Sequence, residues 1–296
     1  MTTIENLKSD CRPGKLGKVY IVIPVHNRIN KTLKCLRSIY YQDYKGIHVI
    51  VVNDGSSDST KNDINGEYPQ VTILEGDGSL FWTGAIKLGV EYALKICNKE
   101  DWILLINNDV QVKSDAIDKL VSFSNSLNRK IIANAVSVDS KDKDTIVKSG
   151  TIVKSWFLNR TQHIYHGISL KNLLSYDAVK VNLLTGRCLL HPVEVFDKIG
   201  NYNSDLFPHY GGDDEFTARA KLLGYKLYVL PSAIVYLDQD EVSHAKKNIF
   251  NALFGIKSSV NIVNKWRFAR SVVPFFAFPT YYLIAVLKSI FIFFKK

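Results

Sequence analysis

Through Val110 the chain alternates apolar runs with polar, glycine-bearing turns and with stretches of helical spacing. The runs Val19–Val25, Ile47–Val52, Val71–Leu74 and Trp102–Ile106 are uninterrupted and bounded by polar residues. Such runs predict strands covered on both faces. Between them, Asn30 offers an N-cap for a helix through Leu33, Leu36 and Ile39, and a second helix is predicted from about Ile86 to Ile96. The strand–turn–helix repeat predicts an α/β fold, a mostly parallel sheet with crossover helices. Its central strand, Trp102–Ile106, delivers Asn107, Asn108 and Asp109 to a carboxyl end, where open α/β sheets bind their ligands.

Those turns carry the candidate chemistry. Asp109 beside two amides suits a hard divalent cation, although an Asn-Asn-Asp turn also simply ends a strand. Asp54 could accept hydrogen bonds from a nucleobase or ribose, or serve only as a turn-former before Gly55. The segment Glu75–Ala85 combines glycines with a helix amino end, which favours an anionic group, and Phe81 and Trp82 could wall a pocket. Further on, Gly212-Asp213-Asp214-Glu215 reads as a helix start with three consecutive carboxylates. Their mutual repulsion should raise at least one pKa.

Composition changes the picture mainly at the carboxyl end. The chain has 296 residues, 46% hydrophobic and 22% charged, enough for one large α/β domain with an appendage and unlike a disordered segment. Of the net charge of +10, the stretch Glu241–Lys296 supplies nine Lys or Arg against one acid, that is +8. These charges alternate with aliphatic and aromatic runs, a pattern for an anionic membrane surface and not for nucleic acid. Lys246–Arg270 predicts an amphipathic helix. The run Val272–Leu287, broken by Pro274 and Pro279 and followed by Lys288, is short for a membrane span and suggests helices lying in the interface. The alternative is packing on the main domain or a second copy. Cys11, Cys35, Cys97 and Cys188 have no metal-ligand spacing and read as thiols in a reducing compartment. Met1–Lys18 has no apolar signal-like core, which points to the cytoplasm.

Ile23-Pro24-Val25-His26-Asn27-Arg28, Asn53-Asp54-Gly55, the glycine-rich approach to the second helix and Leu105-Ile106-Asn107-Asn108-Asp109 together resemble glycosyltransferase family 2. Thr185-Gly186-Arg187-Cys188-Leu189-Leu190 and Phe196-Asp197-Lys198-Ile199-Gly200 continue the resemblance in order. It then runs through Asn203-Ser204-Asp205-Leu206-Phe207 to Gly212-Asp213-Asp214-Glu215-Phe216-Thr217-Ala218-Arg219. The resemblance covers roughly residues 18–245.

What it implies is a GT-A fold, a Rossmann-like sheet flanked by helices, over residues 1–243, with a membrane-associating helical segment over 244–296. It further implies an inverting transfer of sugar from a UDP- or dTDP-sugar donor to a saccharide acceptor, with bacterial surface-polysaccharide and rhamnosyltransferase-like members as the nearest type. Pro24, Val25, Asn27, Arg28, Asp54, Trp82, Gly84, Lys87, Asn107 and Asn108 are then donor-binding candidates. Asp109 and His244 would hold Mn2+ or Mg2+. Asn107 stands where the family has the first acid of Asp-x-Asp. Asp213, six positions before Arg219, is the implied general base, with Asp214 as runner-up. Gly186, Arg187, Gly212 and Glu215 fall on the acceptor side. Gly212 replaces the family's other acid and would leave room for a sugar; Glu215 would orient the acceptor or pair with Arg219. The polar stretch Asp139–Ser175 reads as a variable, partly β region near the acceptor. The basic tail makes a lipid-linked saccharide at the membrane the natural acceptor. Two other classes stay open: a nucleotide-sugar-binding protein without transfer, suggested by Asn107, and a nucleotidyltransferase.

Overall fold

A computed structural model describes residues 17–174, 176–238 and 248–295. The amino half is the predicted repeat: β1 (Val19–Val25), α1 (Ile29–Tyr40), β2 (Ile47–Asp54), α2 (Thr60–Glu67), β3 (Thr72–Gly76), α3 (Phe81–Ile96) and β4 (Trp102–Ile106). There follow β5 (Val110–Val112), α4 (Ala116–Ser126), β6 (Ile131–Asp139), β7 (Ile146–Lys148), β8 (Thr151–Ser155), β9 (Arg160–His163) and β10 (Val179–Lys180). Next come β11 (Cys188–Pro192), α5 (Glu194–Ile199), α6 (Gly212–Leu222) and β12 (Lys226–Leu237), and three helices close the chain: α7 (Ile249–Phe254), α8 (Ile262–Val272) and α9 (Phe278–Lys295).

The main sheet runs β10-β12-β6-β11-β4-β1-β2-β3, with β5 and β7 paired to β12 and β6. β1 pairs in parallel with both β2 and β4, so the strand order reverses beside β1 and opens a crevice at the carboxyl ends. β11 enters antiparallel between β4 and β6. Alternate residues of β1 and β4 feed two separate cores. Ile21, Ile23, Leu104 and Ile106 pack with α1 and α4 on one face, and Val22, Ile103 and Leu105 pack with α3 on the other. All five residues of β4 are buried, as its unbroken apolar run requires.

Several boundaries differ from the sequence pattern, each for a local reason. The α1 cap is Arg28, in left-handed backbone with φ 69°, and Asn30 lies inside the first turn. The Glu75–Ala85 segment stays non-helical only to Leu80; α3 begins at Phe81, because Asp54 draws the turn in, and Gly84 is therefore a helical residue. The tail predicted as one amphipathic helix is two, α7 and α8. They are separated by a turn in which Ser258 and Asn261 satisfy the carbonyls of Ala252, Phe254 and Gly255. Neither proline breaks α9. Pro274 lies before it, and Pro279 stands in its first turn, where no intrahelical amide bond is lost. Phe275–Phe294 is consequently long and apolar enough to cross a membrane by length and composition. The expected boundary at 243/244 and His244 lie outside the described residues.

The last three helices pack back on the sheet domain. Ala269, Val273, Ala277, Tyr281 and Ala285 form a small buried cluster against Trp156. Arg267 Nη1 donates to the Leu206 carbonyl at 2.7 Å, and Lys288 Nζ donates to the carbonyl of Asn159.

Candidate active site

A cavity of about 470 Å³ opens at the carboxyl ends of β1, β2 and β4. Pro24, Val25, Asn27, Arg28, Asp54, Trp82, Asn107, Asn108 and Asp109 all line it. Gly84 and Lys87 do not line it. The early start of α3 turns both away, and Gly84 packs on Leu80 instead.

Much of this crevice is held by side chains that look, in sequence, like ligand contacts. Asn27 and Arg28 are consecutive left-handed residues (φ 59° and 69°), a conformation that costs non-glycine residues about 1–3 kcal/mol each. Asn27 offsets this by accepting from the amide of Ser57 at 2.8 Å, while its own amide donates to Ser56 Oγ at 2.7 Å. His26 Nδ1 donates to the Asp54 carbonyl at 2.6 Å. The Asp54 carboxylate accepts from the amides of Gly78 (2.8 Å), Leu80 (3.2 Å) and Phe81 (2.9 Å). It thus takes up the α3 amino-end amides that the sequence left free for an anion. Asn108 Nδ2 donates to Thr32 Oγ1 at 3.0 Å, and the Asn107 side-chain oxygen accepts from Trp82 Nε1 at 2.8 Å.

Asp109 differs. Its Oδ1 is buried with no hydrogen-bond partner, and burial pushes its carboxyl up against the pull of Arg187, Arg28 and Lys31. Among the described residues no group of three His, Cys, Asp or Glu side chains converges on a metal position. An orphaned carboxylate oxygen at the crevice fits a hard cation completed mainly by oxygens of a bound ligand. Two lining residues carried no sequence signal: His209, whose Nδ1 is unpartnered, and Lys257 from the α7–α8 turn, 5.5 Å from the centroid of the Phe81 ring.

A second cavity, about 410 Å³, lies on the α6 side. Its floor carries Asp213, Asp214 and Arg187, and the Asp139–Ser175 region contributes Lys148, Trp156 and His163. Its roof is the carboxyl-terminal helices, through Asn264, Lys265 and Tyr281. Asp213 is pinned by two amides: Gly186 N to Oδ2 and Asp214 N to Oδ1, both at 2.9 Å. Gly186 is also the contact between the two cavities, since a Cβ there would lie 2.5 Å from Cη2 of Trp82. Burial pushes Asp213 upward, against those amide bonds and Arg187. Asp214 is raised to about 7, by burial first and then by the Asp213 charge, with Lys265 and Lys148 pulling the other way.

Of the acceptor-side expectations, Glu215 takes its Arg219 alternative and Gly212 changes. Glu215 is buried away from both cavities and grips Arg219, Nε to Oε1 at 2.8 Å and Nη2 to Oε2 at 3.0 Å. Gly212 opens no room for a sugar, because Thr83 of α3 fills the space its Cβ would take, with Oγ1 at 2.6 Å.

The sheet thus sets the crevice at the ends of β1, β2 and β4 beside a second cavity that carries Asp213 and Asp214. The model of glycosyl transferase family 2 matches residues 20–198, and the chain belongs to that family. An uncharacterized glycosyltransferase of Rickettsia conorii is 29% identical over 195 residues, 64% of this chain and 29% of that protein. The low-salt glycan biosynthesis hexosyltransferase Agl10 of Haloferax volcanii is 24% identical over 61% of this chain and 56% of its own length. The chain thus spans from under a third to just over half of these curated relatives. Among solved structures, GalNAc-T7 with UDP, GalNAc and Mn2+ superposes with a TM-score of 0.64 at 13% identity, covering 90% of this chain and 53% of that one. The mannosyltransferase PcManGT of Pyrobaculum calidifontis, in complex with GDP-Man and Mn2+, gives 0.53 at 16%, covering 96% and 73%. At such identities the likeness establishes the GT-A fold.

Proposed function

We propose that the chain is an inverting glycosyltransferase that moves a sugar from a UDP- or dTDP-sugar to a hydroxyl of a lipid-linked saccharide at the cytoplasmic face of a membrane. The observation that carries this is Asp213: a half-buried carboxylate in the second cavity, bonded to the amide of Gly186, which packs against the Trp82 wall of the crevice. A base at that junction can take the proton of an acceptor hydroxyl in the second cavity while the acceptor oxygen attacks a donor held in the crevice.

In this reading the nucleotide lies in the crevice over Pro24, Val25 and Asn27, with the base or sugar against Phe81 and Trp82. Arg28 and Lys257 face its diphosphate. Asp109 would hold Mn2+ or Mg2+, with His244 a further candidate ligand, and the cation would neutralise charge on the departing diphosphate. Asp213 takes the acceptor proton as the acceptor oxygen bonds to the anomeric carbon and the nucleoside diphosphate leaves with its bonding electrons. One displacement inverts that carbon and needs no enzyme nucleophile.

The membrane part of the proposal rests on α9, whose two faces differ. Tyr281, Ala285 and Ser289 are buried, whereas Leu283, Leu287, Phe291 and Phe294 form a stripe 57–73% exposed. Phe275 and Phe276 extend it. So large an apolar surface among lysines suits the interface of an anionic bilayer.

The test is nucleotide release from a panel of UDP-, dTDP- and GDP-sugars, with Mn2+, Mg2+ or EDTA, for the wild type and Asp213→Asn. Release from one donor, with a loss of about 10²–10⁴-fold in the variant, supports the proposal. No binding of any nucleotide sugar overturns it.

A further inference from the structure

The second cavity holds more positive charge than its carboxylates answer. Lys148 reaches it from β7, Arg187 from the approach to β11 and Lys265 from α8. Among the described residues none of the three is in an ion pair within 4.0 Å. Both Asp213 oxygens already accept from backbone amides, and the Asp214 carboxyl faces two cations, Lys265 and Lys148, while Arg187 lies toward Asp213. Two donors in the same wall are also unanswered: Arg187 Nε and Asn264 Nδ2 are buried with no hydrogen-bond partner. A buried donor left without an acceptor costs about 1–3 kcal/mol. Burial holds the Lys148 and Lys265 ammonium groups below the ordinary lysine range, so both gain from an anion brought beside them.

We infer that the acceptor carries an anionic group, a phosphate or a carboxylate, seated between Lys148, Arg187 and Lys265 with Asn264 as a further donor. The inference rests on the acceptor reading of this cavity. It makes α8 part of the acceptor site and not only of a membrane-binding tail. Lys265 and Asn264 lie on the helix that joins the exposed apolar surface to the catalytic floor, so an anion next to a lipid anchor and an acid on the sugar itself share this seat. Trp156 and Tyr281, 5.9 Å apart between ring centroids, offer the apolar flank for the sugar ring.

The experiment titrates the full chain with glucose, glucose 1-phosphate and glucuronic acid by calorimetry, in the wild type, Lys265→Met, Lys265→Arg, Lys148→Gln and the surface control Lys171→Gln. At least one charged sugar should bind ten times or more tightly than glucose. Lys265→Met and Lys148→Gln should erase that advantage, while Lys265→Arg and Lys171→Gln keep it. A preference for glucose 1-phosphate places the anion at the carrier linkage; a preference for glucuronic acid places it on the sugar. Equal binding of all three sugars, or an equal loss in Lys171→Gln, overturns the inference. The donor panel reports separately on the transferase reading: a donor released normally by a chain that does not distinguish the charged sugars sinks only the anionic seat.

Discussion

Trp82 Nε1 donates to the side-chain oxygen of Asn107 at 2.8 Å, which ties the first turn of α3 to the tip of β4. The same indole packs against Gly186, and the amide of Gly186 holds Asp213. The strand that presents Asp109 and the helix that presents the proposed base are thereby linked through one aromatic side chain. Asn107, standing where the resemblance has the first acid of Asp-x-Asp, gives one lone pair of its side-chain oxygen to Trp82.

Asn107→Asp should keep the Trp82 contact, since a carboxylate accepts from the indole more strongly than an amide does. It also adds a charge beside Asp109. Calorimetry with Mn2+ and a nucleoside diphosphate should show at least tenfold tighter metal binding. Asn107→Ala should loosen Trp82 and red-shift its fluorescence without that gain. Unchanged metal affinity in Asn107→Asp would show that the oxygen points permanently away from the cation.

Gly186→Ala forces a methyl group into Trp82. Overpacking of this kind costs about 1–3 kcal/mol, and the indole must move because Gly186 is backbone. Thermal unfolding should register the loss, and kcat should fall well beyond the change in stability, since the shift also displaces the amide that orients Asp213. A variant with lowered Tm and unchanged kcat would remove Gly186 from the link.

Asp214 has a folded-state pKa raised from 3.8 to about 7. Its stabilising contribution is complete below about pH 4 and is lost as the pH rises through 7, when a charge must be held in the partly dry site. Asp214→Asn should therefore gain on the wild type between pH 4 and pH 8, by about 1–3 kcal/mol, read as the difference between their Tm curves. A constant difference across that range would mean that the carboxyl titrates normally.

Charging the outer face of α9 with Leu287→Glu and Phe291→Glu leaves its buried face intact. The doubly substituted chain should stop floating with anionic liposomes, while its nucleotide-sugar binding stays within twofold of the wild type. Persistent flotation would place the membrane contact elsewhere.

The central strands and the crevice residues could be read early because each depends on a short stretch of chain. An unbroken apolar run specifies a strand buried on both faces, and its polar end must fall at the sheet edge. That is why Pro24, Asn27, Asp54, Asn107 and Asp109 all line the crevice. What these residues do was less legible. Asp54 and Asn27 spend their oxygens on backbone amides of neighbouring turns, a choice that depends on how two loops meet. Glu215 could have served a ligand or an i,i+4 arginine, and only the packing of α6 against the sheet selects Arg219.

The sequence by itself determined the α/β repeat, the crevice at the end of β4 and the helix start at Asp213, because periodicity and turn chemistry act over a few residues. It also marked the tail as basic and apolar. Tertiary structure alone brought Lys148, Arg187 and Lys265 to the cavity of Asp214. These side chains lie far apart in the chain, on a β-strand, a loop and a carboxyl-terminal helix, and of the three only Arg187 sits in a segment with a local signature. Their juxtaposition follows from β11 entering between β4 and β6 and from the small-residue packing of α8 and α9 on Trp156, which long-range burial of apolar surface decides.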